Sequence, residues 1–332
     1  MSTPQITVLT AVHNGAEHVG ETIASIEAQT FRDWEYVLID DASTDATPEI
    51  LAAAARKNPK LRIVRRDHAA GPYVAANEGL RLARGKWIVR TDADDLSPAH
   101  RIERQVAFLS QHREFRACVS FWQGFNQSGP LSHTVTPIPM SSGVFRWYLM
   151  LRSPSIHSSV CYEREAILEL GGYRELPLSQ DYRLWCEMSR RNWLGTIPEV
   201  LSYVRYHEGR ESLMKRRLQR DLAFGVLADH MQEMTGRIWG TSDLETLWAV
   251  GHSEPLPVGA GLRMIDWWEA SWRAASGLTV ADRRELERLS AFRRWRHLRA
   301  NVRGQVVSSL LHGARIVSTR PRSIIPSAQF CY

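Results

Sequence analysis

The stretch Gly85-Lys86-Trp87-Ile88-Val89-Arg90-Thr91-Asp92-Ala93-Asp94-Asp95-Leu96 decides how this chain is read. An apolar run bounded by a glycine and a group of carboxylates has the signature of a short buried strand that delivers Asp92, Asp94 and Asp95 to its C-terminal end. Open α/β sheets bind ligands in the crevice beyond the carboxyl ends of their strands, so acids at a strand tip are placed for chemistry. Three carboxylates within four residues repel one another unless a cation or hydrogen-bond donors offset them. Hard oxygen ligands of this kind suit Mg2+ or Mn2+, ions that commonly take one or two protein carboxylates and complete their shell with substrate phosphates. The plainer reading of the same acids is a polar turn capping a helix that begins near Ser97-Pro98.

Outward from this stretch, strand and helix signals alternate. Residues 5–12 are β-rich and stop at the turn signal His13-Asn14-Gly15. Residues 19–29 follow as a helix with Val19, Ile23 and Ile26 on one face. Residues 34–39 form a second apolar strand that ends in Asp40-Asp41-Ala42-Ser43-Thr44-Asp45-Ala46-Thr47, again with acids at the tip. Thr47-Pro48-Glu49 opens an alanine-rich helix, with Thr47 as its cap and proline at the first helical position. A third strand over 61–64 and a third helix over 71–83 lead back to the opening stretch. Strand and helix alternating with short loops predicts parallel βαβ units, right-handed crossovers and a doubly wound sheet. Neither G-x-G-x-x-G after the first strand nor G-x-x-x-x-G-K-[ST] occurs, which excludes a dinucleotide fingerprint and a P-loop. Bound phosphate is then left to the metal and to basic or backbone donors.

The 332 residues suffice for one large domain or one domain plus an extension, and the apolar (44%) and charged (23%) fractions are those of a globular protein. No apolar run approaches the roughly 18 residues of a membrane span, and the first residues enter a strand with no signal-like segment, so a cytoplasmic location is expected. Cys118, Cys161, Cys186 and Cys331 are widely spaced and read as reduced thiols rather than as a zinc site or disulfide framework. Residues 281–322 hold eleven arginines against three acids, a balance of +8 that exceeds the +6 of the whole chain. The basic character therefore belongs to the C-terminal part.

Residues 123–143, rich in Gly, Ser and Pro, read as a long loop, either a lid or plain surface. Residues 218–234 and 262–275 look helical, the second carrying Trp267, Trp268 and Trp272. A basic helix over 283–307 spaces Leu286, Leu289, Phe292 and Trp295 for one apolar face. Two readings of that face stand: it packs on its own domain or in a homo-oligomer, or its aromatic residues beside arginines meet an anionic membrane at the inner face of the cell. No helix-turn-helix, RRM or zinc-finger pattern accompanies the charge, so nucleic acid is not expected as a partner.

The ordered set Thr10-Ala11-Val12-His13-Asn14, Ile39 to Thr47, Ala76-Asn77-Glu78-Gly79, Ala83-Arg84-Gly85 and Thr91-Asp92-Ala93-Asp94-Asp95 resembles the family 2 glycosyltransferases. The likeness continues through Pro154 to Val160 with His157, Gly171-Gly172-Tyr173, Gln180-Asp181-Tyr182-Arg183-Leu184-Trp185 and Tyr203-Val204-Arg205-Tyr206-His207, and covers about residues 4–212. The resemblance implies the α/β GT-A fold, a doubly wound mixed sheet, over 1–212, with a nucleotide-binding half (1–96) and an acceptor half (97–212). Residues 213–332 become a helical, basic, Trp-rich C-terminal extension.

Several roles follow from the resemblance. Asp41 matches the acid that holds the base or ribose, beside a wall of Ala11, Val12 and Asn14; an Asx-type turn is the plain alternative. Asp92 matches the first acid of the D-x-D motif, near ribose or metal, and Asp94 the one that ligates Mn2+ or Mg2+, while Asp95 reads as a helix cap. Asp181, in the first turn of a helix with Leu184 and Met188 at i and i+4, is the candidate general base of an inverting transfer, although Gln180 stands where many relatives have Glu. His207 is a candidate metal ligand and Arg205 a phosphate contact; His157 reads as a packing or acceptor-loop residue. The implied activity moves a sugar from a nucleoside-diphosphate donor, UDP-linked by expectation, to a saccharide or lipid-linked saccharide hydroxyl in surface polysaccharide or glycolipid synthesis. Two alternatives stand beside it: a sugar-phosphate nucleotidyltransferase, whose glycine- and arginine-rich triphosphate loop His13-Asn14-Gly15-Ala16 does not supply, and an inactive subunit of a polysaccharide assembly, which need not retain Asp41, Asp92, Asp94 and Asp181.

Overall fold

The computed structural model describes residues 3–135, 141–207 and 215–310. They divide into two compact units, one within Met1–Ser142 and Pro154–Val226, the other within Gly143–Ser153 and Leu227–Tyr332.

In the first unit, β1 (Ile6–Val12) and β2 (Trp34–Asp40) are almost wholly buried, as parallel strands covered on both faces must be. β1 lies between β2 and β4 (Trp87–Arg90), and β2 pairs with β3 (Leu61–Arg65), all parallel. The helices α1 (Val19–Glu27), α2 (Thr47–Lys57) and α3 (Pro72–Leu82) connect them, and α1 buries Val19, Ile23 and Ile26 as its spacing predicts. The cap of α2 differs from expectation: Asp45 Oδ1 accepts the Thr47 N–H at 3.0 Å, while Thr47 Oγ1 accepts the Gly15 N–H at 2.9 Å. The hydroxyl holds the loop after β1, and Asp45 leads the chain into the helix through an Asx turn, with Ala46 at the cap position.

The first unit continues with α4 (Arg101–Gln111), β5 (Ala117–Asn126) and β6 (Gly129–Val135). Beyond α5 (Ser142–Tyr148) come a 3-10 turn (His157–Ser159), β7 (Val160–Glu163), α6 (Arg164–Glu169), α7 (Gln180–Arg190) and β8 (Leu194–Arg205). β7 is antiparallel to both β4 and β5, and β8 is parallel to β5, so the sheet is mixed. Two reversals make β5 and β8 run in the sense of β4. The C-terminal ends of β1, β2, β4 and β8, and the turn entering β7, therefore meet at one sheet edge. Residues 123–135 are not the loop their composition suggests: β5 and β6 form a hairpin through Asn126 to Gly129, with Gly129 at φ +108. Residues 136–140 of that expected loop lie outside the described residues.

The Ala83-Arg84-Gly85 motif has a packing reason. Buried Glu35 accepts hydrogen bonds from Thr7 Oγ1, the Arg84 N–H and Arg84 Nε at 2.7–2.8 Å, and Thr7 Oγ1 accepts the Gly85 N–H. A Cβ on Gly85 would sit 2.3 Å from Thr7 N. Cys118 and Cys161 face each other across β5 and β7 as buried free thiols, Cys186 is likewise free and buried, and Cys331 lies outside the described residues.

The second unit is helical, with the C-terminal part of α8 (Arg216–Thr235), α9 (Thr241–His252), α10 (Val258–Ala274) and α11 (Val280–Leu310). Trp268 and Trp272 are fully buried, and Trp268 Nε1 donates to the Trp147 carbonyl at 3.0 Å. The buried face of α11 differs from the one its apolar residues mark. Leu286 and Leu289 are inside, but the face continues through Ser290, Arg293 and His297, whereas Trp295 is 37% exposed. Arg293 donates from Nη1 to the Gly251 carbonyl and from Nη2 to Tyr148 Oη, and His297 Nε2 bonds the Val258 carbonyl. Among the described residues no helix is long and apolar enough to cross a membrane.

Candidate active site

The acids after β4 rest on a buried cationic floor. Arg101 of α4 is fully buried; its Nη1 donates to Thr91 Oγ1 and Ser97 Oγ, both at 2.9 Å, and its Nη2 to the carbonyls of Arg90 and Val160. Burial pushes its pKa down to about 10, still charged at neutral pH. Arg90, at the tip of β4, donates to the Leu9 carbonyl at 2.9 Å and lies 3.5 Å from Asp92 Oδ1. Asp95 is buried, and burial together with the Asp94 and Asp92 carboxylates pushes its pKa well up. It is not the helix cap expected of it: α4 begins only at Arg101, and Asp95 Oδ1 accepts the Arg205 N–H at 3.0 Å. Leu96 and Tyr203 exchange backbone hydrogen bonds at 2.8 and 2.9 Å, so the acidic loop is stitched to the end of β8.

That stitch brings Asp94 and His207 together, His207 Nε2 lying 3.0 Å from Asp94 Oδ2 with both side chains about 30% exposed. His18 of the β1 to α1 loop stands edge-on to the His207 ring at 5.0 Å. Arg205 is engaged within the protein: Nε donates to the Asp94 carbonyl at 2.9 Å, Nη2 to Glu21 Oε2 at 2.6 Å, and the guanidinium lies 4.6 Å from the centroid of Phe125.

The second acidic tip is also fixed by local hydrogen bonds. Ala11 and Val12 pair with Ile39 and Asp40, and the Asp41 N–H donates to the Val12 carbonyl. The Asp41 carboxylate accepts the N–H groups of Ala70 and Gly71, the latter at 2.8 Å, and lies 3.0 Å from Arg66 Nε. The neighbouring acid braces the turn, Asp40 Oδ1 accepting the Ser43 N–H three residues on at 3.0 Å. Asn14, at φ 53, accepts the Thr44 N–H through Oδ1 and donates its own N–H to Ser43 Oγ. Its side chain thus clasps the loop after β2.

Farther along this unit, Asp181 lies in the first turn of α7 and accepts the Tyr182 N–H at 2.8 Å. His157 is 8% exposed, edge-on to Tyr173 and Trp185, and burial pushes its pKa down. Asn77 of α3 grips both backbone groups of Tyr173 at 2.8 Å, and so ties α3 to the segment before α7.

Residues 7–168 match the profile of Glycosyl transferase family 2. The chain carries a family 2 glycosyltransferase domain. A Bacillus subtilis (strain 168) protein provisionally named a glycosyltransferase, EpsE, is 29% identical over 209 residues, 61% of this chain and 74% of that one. The succinoglycan biosynthesis protein ExoO of Rhizobium meliloti is 37% identical over 103 residues, 31% of this chain and 29% of that one. Among solved structures, S. aureus TarS 1-349 in complex with UDP-GlcNAc superposes with a TM-score of 0.58 at 17% identity, covering 89% of both chains. The mannosyltransferase PcManGT of Pyrobaculum calidifontis, in complex with GDP-Man and Mn2+, does so at 0.56 and 20% identity over 95% of this chain and 89% of that one. These likenesses establish the GT-A-like α/β fold of this glycosyltransferase.

The donor set of the glycosyltransferase domain fits a divalent cation. Among the described residues no three His, Cys, Asp or Glu side chains converge as a cage, but a carboxylate and an imidazole 3.0 Å apart at a half-open edge suit a first-row divalent ion such as Mn2+ when phosphates fill the remaining positions, and the carboxylate alone suits Mg2+. Arg101, Arg90 and Glu21 are parts of the site that sequence reasoning missed. Arginine reads as solvent-facing, and only the position of Arg90 at the end of a buried strand hinted otherwise.

Proposed function

We propose that this glycosyltransferase moves a sugar, with inversion, from a nucleoside-diphosphate donor to a hydroxyl of a saccharide or lipid-linked saccharide in surface polysaccharide or glycolipid synthesis. The observation that carries the reading is the Asp94–His207 pair, 3.0 Å apart at the strand edge where Asp41 and Asp92 also stand. A divalent cation held there supplies positive charge against the leaving diphosphate. Asp92 faces the donor from the same loop. Asp181 removes the proton of the acceptor hydroxyl as the new glycosidic bond forms and the nucleoside diphosphate departs. A uridine nucleotide is favoured as donor by the likeness to a chain that binds UDP-GlcNAc, and Mn2+ by the likeness to one that binds it with GDP-Man. Polysaccharide synthesis is favoured by the stretch shared with ExoO. Contact of residues 283–307 with an anionic membrane on the cytoplasmic side belongs to the same reading, supported by the exposure of Trp295 among arginines.

The test is calorimetry of UDP, GDP, dTDP, CDP and ADP with and without Mn2+, on the wild type and on Asp94→Ala. One diphosphate binding in a metal-dependent way, with that dependence lost in the variant, supports the reading. No binding at millimolar concentration would replace it with an inactive subunit.

A further inference from the structure

His157 has a buried Nε2 with no hydrogen-bond partner among the described residues. A buried ring nitrogen left unpaired carries its full desolvation penalty, so its retention asks for a partner that arrives in another state of the site. The ring is not loosely held. Ser158, the next residue, accepts the Asp92 N–H through Oγ at 2.9 Å, and Ser159 Oγ bonds the Ile156 carbonyl at 2.9 Å, so the turn is pinned on both sides. The imidazole stands edge-on to Tyr173 at 5.5 Å and to Trp185 at 6.1 Å. Trp185 lies one helical turn beyond Asp181 on α7, which puts both side chains on the same helix face. Asp181, Arg90 and Asp92 are the charged groups whose fields reach the ring. Burial lowers the pKa of the imidazole and keeps it neutral, with one N–H to donate. Asp181 Oδ1 already accepts the Tyr182 N–H, which leaves Oδ2 to receive a donor from the ring.

We propose that His157 is a positioning residue for Asp181, donating from Nε2–H to Asp181 Oδ2 when the donor site is filled. The inference rests on the reading of Asp181 as general base. The imidazole neither gains nor loses a proton; the acceptor proton passes to Asp181 as the acceptor oxygen bonds the anomeric carbon and the bond to the diphosphate breaks. Fixing one carboxylate oxygen aims the other, so the effect falls on turnover rather than on donor affinity.

The test uses the full chain with UDP and Mg2+, observed by imidazole 15N spectra in which His157→Gln identifies the His157 signal. The expected result is an Nε2–H tautomer whose Nε2 resonance moves in Asp181→Asn and stays in Asp92→Asn. An Nδ1–H tautomer, a signal indifferent to Asp181→Asn, or one that answers only to Asp92→Asn overturns the proposal. Turnover separates the inference from the reading beneath it. With UDP-glucose, UDP-GlcNAc and GDP-mannose screened as donors, His157→Ala is expected to lower kcat at least tenfold with donor KM within twofold. His157→Gln recovers part of that loss, and the double variant with Asp181→Asn is no slower than Asp181→Asn alone. Additive losses, or a weakened donor KM, count against His157. Wild-type turnover in Asp181→Asn instead removes the general base itself, whatever the spectra show.

Discussion

His207 Nε2 lies 3.0 Å from Asp94 Oδ2, although the two residues are 113 positions apart. The contact exists because β8 runs in the same sense as β4 and is stitched to the acidic loop through Leu96 and Tyr203. If the pair holds the cation, the two side chains act as a unit and their losses are not additive. Asp94→Ala and His207→Ala should each weaken Mn2+-dependent UDP binding by about 10–100-fold, the range seen when a metal site loses supporting groups. The double variant should be scarcely worse than either, and UDP affinity without metal should stay unchanged. Calorimetry with and without EDTA reads all three.

Arg101 is the structural keystone under that loop. Its guanidinium serves Thr91, Ser97 and two carbonyls on neighbouring elements, all buried. Arg101→Met fills a similar volume but leaves these buried acceptors without their donor. The expected cost is about 3–5 kcal/mol, typical of breaking a buried charged network. Urea unfolding should show a lower midpoint with an unchanged slope. Arg101→Lys should recover little, because one ammonium cannot reproduce the planar fork.

The strand tips were legible because their apolar runs are uninterrupted and end in acids, so Asp41, Asp92 and Asp94 could be placed before any coordinates. The β5–β6 hairpin was not: Gln123, Gly124 and Gly129 carry a turn composition, and the pairing that makes strands of them is with β8 and with each other. In α11 the apolar count selects Phe292 and Trp295, whereas the buried face runs through Arg293 and His297. Their burial is compensated by carbonyls of Gly251 and Val258, partners more than thirty residues away that no local pattern reveals. The same blindness hid Arg90 and Arg101.

Glu285 of α11 should make the helical unit sensitive to pH. Burial, with Asp282 beside it, pushes its pKa up to about 7. A carboxyl whose folded value is raised favours the folded state fully below its unfolded value of 4.5. That contribution is lost as pH rises through about 7. Glu285→Gln should therefore match the wild type in stability near pH 5 and exceed it at pH 8. The group is partly open to solvent, which reduces the gain to about 1 kcal/mol. Paired chemical denaturation at the two pH values measures the difference, and a gain that is the same at both would contradict the assignment.

Two glycines should respond in opposite directions to the same added methyl. At Gly85 a Cβ would stand 2.3 Å from Thr7 N and 2.5 Å from Ile6 C, both backbone atoms of the central strand that cannot step aside. Gly85→Ala should cost about 1–3 kcal/mol, the usual range for overpacking, and should disturb the Thr7 hydroxyl that accepts the Gly85 N–H. At Gly20, inside α1, nothing lies within 4 Å of the same atom and the backbone is helical. There the methyl adds no clash and removes conformational freedom from the unfolded chain, so Gly20→Ala should stabilise by about 0.5–1 kcal/mol. Thermal melts of the two variants beside the wild type give the signs directly. A neutral Gly85→Ala would mean that β4 is joined to β1 less tightly than the Thr7, Glu35 and Arg84 contacts require.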